Sequence, residues 1–317
     1  SGGDGTATAG IIDWMFEVGI EVSEAMPILL FIGIGAMIDF GPLLSNPKLF
    51  LLGGAAQFGI FLTILLATMI GFNINDASAI GIIGAADGPT SILVAMKLGS
   101  QFLGPITVVA YSYMVLVPII QPAVVKMCTT KKERRIRMDY NPVSVSHTTK
   151  VLFPIVVTLI AGLIAPKSLA LVGFLMFGNL LRECGVLRLL SETAQNILAN
   201  LITLLLGITI ASQMKAENFV TWETAIILCL GLLAFVFDTV AGVMFAKFMN
   251  LFSKKKINPM IGAAGISAFP MSARVIQKMG LKEDPSNHLL MHAIGANVSG
   301  QIASAIVGGL IIGLVLA

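Results

Sequence analysis

Gly84-Ala85-Ala86-Asp87-Gly88-Pro89-Thr90-Ser91 sits at the centre of an apolar run, Ala77 to Leu98, that otherwise reads as a membrane helix. Its composition works against a continuous helix. Proline removes a backbone donor and clashes with the preceding turn, and glycine loosens the helix further. An ionised carboxylate is costly in hydrocarbon and faces a cavity or a partner. The stretch is therefore read as a break whose freed backbone groups line a polar pocket at membrane depth.

The rest of the chain supports a membrane setting. Of 317 residues, 56% are hydrophobic and only 12% charged, with a mean hydropathy of +0.91. A soluble domain of this length carries more surface charge. Apolar runs of membrane-spanning length recur: Met26 to Asp39 (short), Leu49 to Phe72, Phe102 to Val125, Val151 to Ala165, Ser168 to Leu181, Ala194 to Ser212, Thr224 to Phe252 and Leu289 to Ala317. Ahead of them, Ser1–Gly10 reads as a linker and Ile11–Val22 as an amphipathic interfacial helix, so that 1–25 precede the membrane part. The net charge of +3 resides in loops and gives no argument for nucleic acid. Cys128, Cys184 and Cys229 have no metal-binding or paired spacing and read as buried thiols.

The main change in composition is Lys126–Lys150, where Lys126, Lys131, Lys132, Arg134, Arg135, Arg137 and Lys150 face only Glu133 and Asp139. The positive-inside rule places this 126–150 loop in the cytoplasm. It separates a first membrane repeat, 26–125, from a second, 151–317. A second odd segment, Asn258 to Met279, resembles the first. Gly262-Ala263-Ala264 parallels Gly84-Ala85-Ala86, and Pro270-Met271-Ser272 parallels Pro89-Thr90-Ser91. Counting spans from the basic loop puts Asn73–Asp76 and Lys215–Glu223 outside and Lys48 and Lys254–Lys256 inside. The two odd segments then enter the membrane from opposite faces. The expected fold is all-α: a polytopic membrane protein of two inverted repeats, each with a broken helix (77–98 and 258–279), in an elevator-like transporter architecture.

Polar residues at membrane depth define the candidate site. The first repeat offers Asp87, Thr90, Ser91, Tyr111 and Tyr113; the second offers Asn258, Ser267, Ser272, Arg274, His292, Asn297 and Ser299. Carboxylate, hydroxyl, amide and carbonyl oxygens suit a hard alkali cation. Each residue also has a structural alternative. Asp87 has a possible ion-pair role with Arg274 or Lys97, Tyr113 a packing role, and Ser91 and Ser267 backbone bonding within their own helices. Asn258 before Pro259 also fits a cap, His292 an ordinary satisfied histidine, and Asp39 a cap on the turn before Gly41-Pro42. Asn297 lies in mid-span without a helix role. Asp238 stands in an apolar span with no local partner. No P-loop, haem motif or His/Cys cluster is present in the sequence.

At these residues the chain resembles a known family. Its motifs GIIGAADGPTSI, AYSYMVLVPIIQP, TTKKERRIRM, FGNLLRECGV, KINPMIGAAGISAFPMSARV and LLMHAIGANVSG, in that order from about Met26 onward, are similar to the beta subunits of biotin-dependent sodium-pumping decarboxylases. That group includes the oxaloacetate, glutaconyl-CoA, methylmalonyl-CoA and malonate enzymes. The resemblance implies a multi-pass subunit of a bacterial inner membrane. It implies partners too: a biotin carrier protein, a carboxyltransferase alpha subunit, a small membrane gamma or delta subunit, and further copies of the chain in a trimer. Residue by residue it implies Asp87, Asn258, Ser267 and Asn297 as Na+ ligands, Asp87, Tyr113 and Arg274 as catalytic groups, and Arg274 and Ser267 as contacts to carboxybiotin. Gly262 is matched as well. The family has a further membrane helix before the position of Met26, and its pattern at Asp238 is Gly/Thr/Ala-rich.

The function expected on this footing is decarboxylation of carboxybiotin, presented on a carrier protein, coupled to sodium export with proton consumption. The alternative is a sodium- or proton-coupled secondary transporter of an organic anion, with Arg274 clamping a substrate carboxylate and no chemistry. A structural membrane anchor explains neither broken segment.

Overall fold

In hydrocarbon every backbone group must be satisfied within its own segment, so apolar windows of this length fold as helices. The computed structural model describes residues 10–22, 25–140, 145–212 and 219–317, and the regular structure among them is entirely helical. Most of the linker read over Ser1–Gly10, and part of the outer loop read over Lys215–Glu223, lie outside the described residues.

Among the described residues, six spans are long and apolar enough to cross a membrane, one of them Leu49–Ile70 taken across a two-residue turn at Ala56–Gln57. In chain order the elements are α1 (Ile11–Phe16), which continues as a π-helical stretch Glu17–Val22, and α2 (Ala25–Met37). Next come α3 (Leu49–Ala55), α4 (Phe58–Ile70), α5 (Ile74–Gly81), α6 (Gly88–Lys97) and α7 (Leu103–Cys128). After the basic loop follow α8 (His147–Ile164), α9 (Leu169–Glu183), α10 (Arg188–Ser212), α11 (Trp222–Phe252), α12 (Met260–Ala263), α13 (Met271–Glu283) and α14 (Leu290–Val315).

Both odd segments are interrupted. The first leaves α5, makes a 3-10 turn over Ile82–Ala85, and passes through Ala86 in the left-handed region (φ 54) and Asp87 in extended conformation before α6 begins. Pro89 stands in the first turn of α6, where its missing N–H costs nothing. The second passes from α12 through a turn and a cis Phe269–Pro270 bond into α13. The two breaks touch: the Ser267 N–H donates to the Ala85 carbonyl at 3.0 Å.

A third interruption lies where the sequence reads as a continuous span. Between α3 and α4 the helix breaks at Ala56–Gln57, and the Gln57 side-chain amide donates back to the Gly53 carbonyl at 3.0 Å. Small residues let the backbones meet at these breaks. A Cβ on Gly262 would strike the Gly242 carbonyl of α11, and a Cβ on Gly300 of α14 would strike the Gly265 carbonyl. Gly262 is thus a close-approach residue, and any side chain there forces α11 and α12 apart.

The stretch Ile11–Val22 packs one side on the bundle, with Ile20 buried in a cluster with Met26, Leu30, Ile92 and Ile202 and Ile11 and Trp14 exposed. One further expectation changes. The cysteines are free thiols and none is buried: Cys128 and Cys184 are half-buried and Cys229 is exposed. Cys229 sits on the outward face of α11, beside exposed Leu228 and Leu232, so its surroundings are apolar without being enclosed.

Candidate ion-binding site

Asp87 is the N-cap of α6 and its carboxylate is buried. Oδ1 accepts the Thr90 N–H at 3.5 Å. Oδ2 accepts three donors: Thr90 Oγ1 at 2.7 Å, Gln301 Nε2 at 3.0 Å and Ser304 Oγ at 3.0 Å. The Ser304 hydroxyl also lies 2.8 Å from Ser267 Oγ, on the second interrupted segment. One carboxylate therefore gathers groups from both breaks and from α14. All of these donors are neutral, and among the described residues no basic side chain pairs with Asp87. The possible ion pair of Asp87 with Arg274 or Lys97 is not formed.

Two buried oxygens beside this cluster have no hydrogen-bond partner among the described residues. Asn297 donates its amide to the Ile266 carbonyl at 2.6 Å and leaves Oδ1 unpaired. The Tyr111 hydroxyl is likewise unpaired, and its ring lies against Gly88, where a Cβ would come within 2.5 Å of Cζ. Helix α14 supplies its groups from one face: Asn297, Gln301, Ser304 and Gly308 follow at helical spacing. At Gly308 a Cβ would meet Thr90 Cγ2 at 2.8 Å.

Other residues singled out in the sequence sit elsewhere. Tyr113 points its hydroxyl at the Leu228 carbonyl of α11, in a separate apolar cluster. Ser91 donates to the Asp87 carbonyl at 2.9 Å, a bond within its own helix. Ser272 pairs with Gln121 and the Ala263 carbonyl. Ser299 binds the Leu49 and Ala296 carbonyls. Arg274 is exposed on α13, whereas Asp87 is buried. Asp39 accepts the Gly41 N–H at 2.8 Å, as a turn cap does.

Asn258 belongs to a different structure. Its amide donates to the Arg134 and Ile136 carbonyls, both at 2.9 Å, and its Oδ1 accepts the Met260 N–H. Asn287 reaches the same two carbonyls. Arg134 pairs with Glu283 at 2.8 Å, and Arg137 with Asp284 at 2.7 Å. The basic loop is thus strapped across the turn between α13 and α14, with Tyr140 packed edge-on against the His292 ring. His292 is buried there with Nε2 unpaired. The strap perturbs its own acids. The Arg134 hydrogen bond holds the Glu283 carboxyl below its ordinary range. The Arg137 hydrogen bond, helped by Ser286, brings Asp284 down to about 2.

Gln301, Ser304 and Tyr111 complete the surroundings of Asp87. Gln301 and Ser304 were not among the residues the sequence singled out, and their signal is their spacing after Asn297. With this geometry in place, comparison with known proteins is informative. The sequence pattern described as "Na+-transporting oxaloacetate decarboxylase beta subunit" matches residues 4–315. The chain belongs to this family. It is 51% identical over 310 residues to the oxaloacetate decarboxylase beta chain of Haemophilus ducreyi, covering 96% of this chain and 71% of the relative. It is 54% identical over 289 residues to the methylmalonyl-CoA decarboxylase subunit beta of Propionigenium modestum, covering 91% and 73%. Against the glutaconyl-CoA decarboxylase subunit beta of Acidaminococcus fermentans it is 52% identical over 292 residues, covering 92% and 78%. As a beta-subunit family member with six spanning-length helices, the chain is a multi-pass bacterial membrane protein and a subunit of a decarboxylase complex.

Proposed function

We propose that this chain decarboxylates carboxybiotin, delivered on the carrier protein of a larger complex, and couples that step to sodium export and proton consumption. The observation that carries the reading is the buried Asp87 carboxylate, ringed by neutral donors where both interrupted segments meet α14. A buried charge with no ionic partner calls for a mobile one. Asp87 Oδ2, the hydroxyls of Thr90, Ser267 and Ser304, and the unpaired Asn297 Oδ1 are the oxygens that would take a sodium ion. A sodium ion or a proton each satisfies the carboxylate, and the two exclude one another, which links their fluxes.

Arg274, exposed at the start of α13, is accessible to a carboxylate on a carrier arm and suits its planar geometry. Protonation of the departing biotin nitrogen makes loss of carbon dioxide easy, so the protein need only deliver a proton and limit bulk water. Tyr113 enters this scheme as a wall of the first repeat, with its hydroxyl held by Leu228. Asn258 enters through the strap it anchors.

Inverted repeats and an elevator-like movement are part of the proposal. Supporting them, Gly84 of the first break packs on α11 of the second half, and Gly265 of the second packs on α3 of the first half. The breaks are joined to each other by backbone, so they would travel together. The test is Asp87→Asn in the assembled complex, reconstituted in vesicles and supplied with carboxybiotin. Loss of sodium-dependent carbon dioxide release is expected. Normal turnover and pumping would refute the assignment, and sodium-coupled anion uptake without carbon dioxide release would favour a secondary transporter.

A further inference from the structure

Asp238 lies in the middle of α11 with no exposed surface, and nothing above uses it. Its Oδ1 accepts the backbone N–H of Gly59, while the Ile60 N–H donates to the Gln57 carbonyl. Gly59 carries one of the first amides of α4, just past the turn at Ala56–Gln57, so Asp238 caps α4 from a neighbouring helix. The carboxylate charge has no ionic counterpart, because no basic side chain pairs with Asp238 among the described residues.

Three oxygens around the start of α4 are left open. Asp238 Oδ2 is buried without a hydrogen-bond partner among the described residues, and so are Gln57 Oε1 and Thr63 Oγ1. Gln57 immediately precedes α4, and Thr63 is on the same buried face as Gly59 and Ile60. Oδ2 faces the first interrupted segment: a Cβ on Gly84 would come within 2.6 Å of it. Gly84 stands three residues before Asp87. Two buried carboxylates therefore flank one broken segment, Asp87 on the side of α14 and Asp238 on the side of α11.

We propose that Asp238 anchors a second site for an exchangeable monovalent cation, a proton or a sodium ion, on the far flank of the first broken segment from Asp87. A lone carboxylate in an apolar interior is costly to keep unless a cation neutralises it. The unpaired oxygens of Gln57 and Thr63 lie on either side, along the chain, of the Gly59 amide that Asp238 binds. Exchange at this site rests on the cation-translocating reading above, whereas occupancy by a cation follows from the geometry alone. Movement of the first broken segment would act on both sites at once.

The experiment is equilibrium binding of radioactive sodium to the full chain, paired with difference infrared spectra of its carboxyl groups. Wild type, Asp87→Asn, Asp238→Asn and the double variant are compared. If sodium fills the site, Asp238→Asn binds one ion fewer per chain, and the ion lost in Asp87→Asn is a different one. If a proton fills it, Asp238→Asn keeps the sodium count but removes one protonated-carboxyl band, which persists in Asp87→Asn. Either result supports the proposal. An unchanged sodium count together with an unchanged carboxyl spectrum in Asp238→Asn overturns it. Should Asp238→Asn not fold, Asp87→Asn alone decides. A remaining bound sodium or a remaining protonated-carboxyl band supports the second site, and the absence of both overturns it. Wild-type sodium binding in Asp87→Asn would sink the assignment of Asp87 and leave Asp238 standing.

Discussion

Replacing Thr90 by valine removes the hydroxyl that donates to Asp87 Oδ2 at 2.7 Å and keeps the shape of the side chain. The shape matters because the Thr90 methyl packs where a Cβ on Gly308 would sit. A hydrogen bond to a charged group contributes about 1.5–3 kcal/mol. The same hydroxyl is one of the oxygens proposed to hold sodium, and with a lost contact to the ion of similar size, at about 1.4 kcal/mol for each factor of ten, the half-saturating sodium concentration rises roughly 10- to 150-fold in Thr90→Val. Thr90→Ser is the counterpart: it keeps the donor and drops the methyl, so its loss falls on stability, at about 0.5–1.5 kcal/mol for one buried methyl. The assay measures sodium dependence of decarboxylation and sodium-induced thermal stabilisation for both variants in the assembled complex. The expected pattern is a split, with affinity lost in the valine variant and melting temperature lost in the serine variant. Half-saturation within twofold of wild type in Thr90→Val would refute the reasoning, as would a larger affinity loss in Thr90→Ser.

Two further outcomes concern the strap. Asn258→Ala leaves the Arg134 and Ile136 carbonyls, among the described residues, with the Asn287 amide at 3.2 and 3.3 Å. Loss of the shorter bonds costs about 1–3 kcal/mol locally, so proteolysis within 129–140 accelerates while half-saturating sodium changes by less than a few-fold. A large loss of sodium affinity would instead place Asn258 among the ion ligands. The acids of the strap have lowered values in the fold, so their contribution is complete above about pH 4, the ordinary carboxylate range. It is lost as pH falls through about 2, where Asp284 titrates. Hydrogen exchange in 129–140 should rise across that window before α14 loses protection, and simultaneous loss in both would contradict the assignment.

The sequence displayed Asp87 because an acid, a Gly-Pro pair and two hydroxyls stand together in hydrocarbon, where each is costly. The second broken segment, Asn258 to Met279, is legible through its likeness to the first, in Gly262-Ala263-Ala264 and Pro270-Met271-Ser272. Gln301 and Ser304 escaped notice because α14 runs unbroken and rich in small residues, so nothing local marks them. Their role appears only when a partner 214 or 217 residues away is brought opposite. The break at Ala56–Gln57 was hidden for a related reason. It contains no proline, and its compensation by Asp238 comes from 179 residues further along the chain. Asn258 was drawn toward the ion site by its place before an interrupted helix. The cap alternative lay closer to what the fold contains, since Oδ1 accepts the Met260 N–H. Tyr111 and Tyr113 differ by two positions, which on a helix turns them about 200° apart, and only packing shows which one faces the break at Gly88.

The contact between Ser267 and Ala85 joins main-chain atoms only. Side chains on either tip can therefore drift without severing it, and only a proline at position 267 would take away its donor. Two halves of a chain that diverge in residue identity can stay mechanically tied at their innermost point, with the tie invisible to any reading of side-chain chemistry.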